Sequence, residues 1–140
     1  MSDIGKDLRT YLQTKSTVTD LIGTRMFPRM LPQGESLPAI IFSVIGSTSE
    51  HKITGASGAV RAVIQLDCYA ETHIQANDLA EQVRLVLHGY TGTAGDSTIG
   101  HALLDNKREM FDAPTDASDV PSYRVMMEWE ILHNETIPSF

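Results

Sequence analysis

The sequence predicts an α+β fold: a mostly antiparallel sheet of about four strands, one main helix packed on one face, and two short N-terminal helices. Three observations carry this expectation. Residues 74–87 hold apolar side chains at helical spacing. Residues 60–70 and 123–133 alternate apolar and polar side chains with the period of a strand. The first 23 residues hold two short helical patterns that stop at Gly23. The chain has 140 residues, the common size of one domain, and is read as one domain over 1–140.

Asp3 is placed to cap a first helix over residues 4–14, with Ile4, Leu8, Tyr11 and Leu12 on one stripe. Ser16 or Thr17 opens a second, and Leu21 and Ile22 point to the core. Residues 24–28 read as a short extended piece. Pro28, Pro32 and Pro38 with Gly34 exclude regular structure from the segment that follows. Residues 39–45 are apolar on both faces, as in a strand covered on both sides, either within the domain or by a neighbouring subunit. Residues 46–58 are small and polar and read as the long tip of a hairpin; tips of that length are unusual without a function.

The strand at 60–70 puts Val60, Ala62, Ile64, Leu66, Cys68 and Ala70 on one face, with Arg61, Gln65, Asp67 and Tyr69 on the other. Thr72 caps the main helix, whose stripe is Ile74, Leu79, Val83, Val86 and Leu87, with Ala76 and Ala80 allowing close approach to a sheet; Gly89 ends it. Residues 91–97 read as a flexible loop, 98–111 as a weaker strand and 113–121 as a second loop. The last strand, 123–133, sets Tyr123, Val125, Met127, Trp129 and Ile131 against Arg124, Glu128 and Glu130.

The net charge is −7 and is unevenly spread. Glu109, Asp112, Asp116, Asp119, Glu128, Glu130 and Glu135 stand against Arg124 alone in the last 32 residues, which argues against that end gripping nucleic-acid phosphates. A solvated acidic edge is the plain alternative reading of that asymmetry. One cysteine, Cys68, allows no internal disulfide. No run of apolar residues is long enough for a membrane span and the start lacks a signal-peptide core, so the expectation is a soluble protein made in the cytoplasm.

No arrangement in the sequence supplies a reaction. His51, His73, His88, His101 and His133 share no metal-ligand spacing. Cys68 sits on an apolar strand face without a cationic neighbour. The glycine-rich stretch Gly92-Thr93-Ala94-Gly95 is followed by neither the lysine nor the helix of a phosphate-binding loop. Asp67, Glu128 and Glu130 read as solvated or subunit-facing carboxylates before they read as an acid/base couple. The expectation is therefore no enzyme activity, no cofactor and no metal.

One ordered pattern remains. Arg25-Met26-Phe27-Pro28, then Leu31-Pro32-Gln33-Gly34-Glu35-Ser36-Leu37-Pro38-Ala39-Ile40, resembles the tail completion (tail terminator) family of long-tailed phages. The strand Arg61 to Ala70, the helix from Ala76 to Leu87 and the closing Tyr123-Arg124 through Trp129 to His133 match that family in order. The resemblance implies a virion protein at the tail–neck junction. It implies a homo-oligomeric ring, commonly of six subunits, that terminates the tail tube and joins the tail to the head connector, with DNA passing through its lumen without specific binding. On that reading Ile41, Ile45, Ser47, Ser49, His51 and Ile53 are candidates for the subunit or tube interface, and Glu128, Glu130 and Asp67 for the lumen. A head-completion (stopper) ring of the neck and a small cytosolic ligand-binding domain stay open as alternatives.

Overall fold

A computed structural model describes residues 3–32, 34, 36–52, 55–112 and 122–134. The expected loop at 113–121 and the side chains of Ile53, Asp116, Asp119 and Glu135 lie outside the described residues.

Helix α1 (Ile4–Gln13) starts at Asp3, whose side chain accepts the Lys6 N–H at 3.2 Å. Its stripe Ile4, Leu8, Tyr11 and Leu12 is buried throughout. Helix α2 (Ser16–Ile22) stops at Gly23 and buries Val18 and Ile22. Strand β1 (Met26–Pro28) leads through the proline segment into β2 (Ala39–Lys52), which turns back as β3 (Gly55–Ala70). Thr72 caps α3 (His73–Leu87) by accepting the Gln75 N–H at 3.1 Å. The chain closes with β4 (Gly92–Ala94), β5 (Ser97–Asp112) and β6 (Ser122–Asn134).

The sheet has six strands in the order β1-β2-β3-β6-β5-β4, not about four. The strands beyond four are β1, which forms within the extended piece expected at 24–28, and β4, which forms where a loop was expected; each is three residues at an edge, too short to show a period in sequence. Only the β1–β2 pair is parallel. The stretch 91–97, expected as a loop, is β4 plus a tight turn into β5.

Asp7, inside the α1 stripe, holds that turn. Its carboxylate is 4% exposed, accepts the Asp96 N–H at 3.1 Å and takes the Ser97 hydroxyl hydrogen bond. Gly95 (φ +56°) completes the fit, because a Cβ there would stand 2.5 Å from Asp7 Oδ1.

The core lies between the helices and one face of the sheet. Val60, Ala62, Ile64, Leu66, Cys68 and Ala70 of β3 are all buried there, beside Val125, Met127, Trp129 and Ile131 of β6. Leu79, Val83 and Leu87 of α3 pack against them, with Ala76 and Ala80 at the close approach. Ile74 departs from the expected stripe: it is 73% exposed, because the buried stripe runs through Ala76, Leu79, Ala80, Val83 and Leu87 and position 74 lies on the other side of the helix.

Candidate functional site

The β2–β3 pair is longer than its share of the core. Registered pairing runs from Ala39↔Tyr69 to Lys52↔Gly55, with bulges between Val44 and Gly46 and between Ser49 and His51. The polar stretch 46–58 is therefore mostly paired strand, not the loop expected. Strand β6 accompanies β3 only as far as Ala59↔Asn134. Beyond that point the two strands form a two-stranded arm with no third strand beside it among the described residues. Two-stranded ribbons are marginal in water by themselves.

The candidate interface residues fall along this element unequally. Ile41 is 2% exposed and already covered within the chain. Val44 and Ile45 are 45% and 58% exposed, so the doubly apolar strand is buried only through Phe42. Ser47 and Ser49 are exposed, paired in register with Ala62 and Val60. His51 lies opposite Ala56, and Ile53 lies outside the described residues.

The proline segment is stapled to the start of β2. Arg25 donates from Nε to the Pro38 carbonyl at 2.9 Å and from Nη2 to the Leu21 carbonyl at 3.2 Å. One guanidinium thus ties the end of α2 to the mouth of β2, with the Leu37–Pro38 peptide cis. Sequence reading marked Arg25 only as part of a motif; its physical role is this clamp.

The sheet face away from the helices carries the three lumen candidates. Register sets Ile41, Asp67 and Met126 in one row, Ser43, Gln65, Glu128 and Asn106 in the next, and Val63, Glu130 and Leu103 in a third. Asp67 is 5% exposed and accepts Gln65 Nε2 at 2.9 Å. Glu130 is bound by Arg61 at 2.8 Å, and His101 Nε2 lies 3.3 Å from its other oxygen. The Arg61 hydrogen bond, with its charge, holds the Glu130 carboxyl below the usual carboxylate range. Glu128 is half-buried between the amide side chains of Gln65 and Asn106 in register. Arg124 adds positive charge, lying over the Tyr69 ring at 5.7 Å. The face is mixed, not acidic throughout. Glu109 sits on the helix side, 3.1 Å from His73. Strand alternation therefore divides the acidic third of the sequence between two surfaces.

This geometry can be set beside known proteins. The family model described as tail completion protein gp17 matches residues 6–128. The chain belongs to that family. As a tail completion protein it is a phage virion component. Among solved structures, a chain from "Virion of native gene transfer agent (GTA) particle" matches with a TM-score of 0.68 at 11% identity, over 93% of this chain and 90% of that one. That likeness is one of fold. No curated protein matches the chain.

The remaining chemical candidates in the tail completion protein have structural places. Cys68 is fully buried, and burial, with Asp67 beside it, pushes its thiol well above the ordinary range. His88 Nδ1 accepts the Leu104 N–H at 3.1 Å, and its ring stands 6.2 Å from Trp129. Among the described residues, no three His, Cys, Asp or Glu side chains converge as metal ligands. Nor is any helix among them long and apolar enough to cross a membrane.

Proposed function

We propose that this tail completion protein acts as a ring, of six copies, that terminates the tail tube and offers the docking surface for the head connector. The role is structural, without catalysis, and the partners are further copies of the chain, the tube protein and the connector or stopper protein. One observation of this structure carries the reading: the β2–β3 arm. It runs on past the end of β6, and Val44 and Ile45, further back on the same strand, are exposed. Its far part has only its own two strands for support, so a partner in the assembly would stabilise it. Heterologous contacts of such an arm with a neighbour generate rings when the rotation closes.

Electron microscopy of the purified protein, with and without tail tubes, tests this. Rings seated at tube ends are expected. Rings that bind a head-side adaptor and ignore tubes would point instead to a stopper, and an assembled tail with every arm free in solvent would remove the arm from the reading.

The sheet face away from the helices is proposed to line the lumen. Negative charge there would repel DNA phosphates and let the genome slide. Glu128 is the residue on which this rests, because Glu130 is matched by Arg61 and Asp67 is buried.

A further inference from the structure

We infer that copies of this chain join by strand addition: the outer edge of β2 at residues 43–48 pairs with the outer edge of β5 at residues 105–111 of the next copy. The inference rests on the ring reading above and specifies its interface.

The β2 edge is open and unguarded. Strand β1 covers only Ile40, Ile41 and Phe42. Past Phe42 no strand lies on that side of β2 among the described residues. Residues 43–48 (Ser-Val-Ile-Gly-Ser-Thr) carry no charge and no proline. Edges that must stay single usually carry lysine, proline or inward charge, since an exposed row of N–H and C=O groups invites pairing. The side chains around this edge are apolar and exposed as well. Val44 is 45%, Ile45 58% and Met30 74% exposed. Met30 stands next to Arg29, whose N–H donates to the Phe42 carbonyl at 2.9 Å.

Backbone direction agrees. The Ile40 N–H and the Phe42 carbonyl both point outward, to Arg25 and Arg29. Alternation along the ladder makes Val44 the next outward residue, and the bulge before Gly46 then moves the outward position to Ser47.

The opposite edge is open in the same way. Strand β4 covers Ser97, Thr98 and Ile99. Gly89 N–H bonds the Ala102 carbonyl and the Leu104 N–H bonds His88, which occupies the edge that far. From Asp105 onward no strand lies outside β5 among the described residues. After the bulge between Leu104 and Asn106, alternation turns Lys107, Glu109 and Phe111 outward, and Phe111 is 54% exposed.

The two open edges lie at opposite ends of one sheet, so pairing them is head-to-tail, the arrangement that closes into rings. Charge favours it over the like pairings. The β5 edge carries Asp105, Lys107, Arg108 and Glu109, and set beside uncharged β2 it meets no like charge. Pairing β2 with β2 would give a two-fold dimer and leave both β5 edges bare.

Two variants test the inference in the full chain, assayed with tail tubes present. Ser47→Pro removes an outward N–H while leaving the β3 side of the strand its bonds; Ser47→Ala is the control that keeps the donor. The second is the double variant Ser47→Cys/Lys107→Cys, oxidised and run without reductant; native Cys68 is buried and does not compete. The expected result is that Ser47→Pro folds and melts like wild type but loses rings, that Ser47→Ala keeps them, and that the double cysteine variant gives a ladder of cross-linked oligomers up to ring size. If Ser47→Pro fails to fold, the cross-link decides. Wild-type rings without any ladder, or a Ser47→Pro variant that still makes rings, overturn strand addition and leave the ring reading intact. A dimer formed by Ser47→Cys alone overturns the head-to-tail pairing. The absence of wild-type rings at tube ends overturns both the interface and the ring.

Discussion

Asp7 shows how much one buried carboxylate can organise. It sits in the apolar stripe of α1, and its oxygens take the Asp96 N–H and the Ser97 hydroxyl across 89 and 90 residues of sequence. Removing it leaves the buried Ser97 hydroxyl without this acceptor and frees the partly buried Asp96 N–H. Asp7→Ala should cost about 1–3 kcal/mol of stability in urea titration, and a variant as stable as wild type would show that the turn is held by packing alone. Glu130 makes a different contribution. Arg61 holds its folded pKa below the unfolded value, so the stability it adds is present above the unfolded pKa and is lost as pH falls through the folded one. Glu130→Gln should flatten the fall in melting temperature below about pH 4.3, the ordinary glutamate range, and change it little at pH 7, where an exposed pair contributes weakly. A slope unchanged from wild type would assign the acid sensitivity elsewhere. The α1 stripe legible in the sequence does not include Asp7, and the role of Asp7 depends on partners at the far end of the chain, which no local pattern links to it.

At the scale of elements, periodicity located whatever packs on the core. The stripes of α1 and α3 and the buried faces of β3 and β6 are where alternation placed them. Ile74 is the exception, and it sets up a contrast. Leu79→Ala should cost about 2–5 kcal/mol by opening a cavity under α3, whereas Ile74→Ser should stay within about 0.5 kcal/mol. Equal losses for the two in chemical denaturation would mean that Ile74 is covered after all. The arm was misjudged for a clear reason. Alternation arises where one strand face is buried and the other wet, and past Ser49 the β2–β3 pair runs on beyond the end of β6, where no pattern in the sequence marks it as strand. Strands β1 and β4 were too short to carry a period at all, and their pairing depends on where β2 and β5 already stand.

At the scale of the molecule, the Glu128 and Glu130 rows on the sheet face away from the helices and, among the described residues, the two sheet edges are what remain for partners. On the proposed lumen face, Glu128→Lys should slow genome ejection and leave rings intact, because it removes negative charge without breaking an ion pair. Glu130→Lys would confound that test by breaking the Arg61 ion pair and setting two positive groups side by side. Ejection at the wild-type rate in rings that carry Glu128→Lys would remove the electrostatic role of this face; lost rings would make Glu128 an interface residue.

The sequence by itself determined the α+β class, the two N-terminal helices, the capped main helix and the core faces of its two central strands, since each is written in local period and capping chemistry. Its ordered proline and strand motifs also sufficed for the family resemblance that the match over residues 6–128 bears out. Only the tertiary structure decided that the acidic third divides between two faces and that Arg61 matches Glu130. It alone decided that the polar stretch is a paired arm and that, among the described residues, both sheet edges stay open. Those are relations between strands distant in sequence, and register, which no local pattern records, sets them.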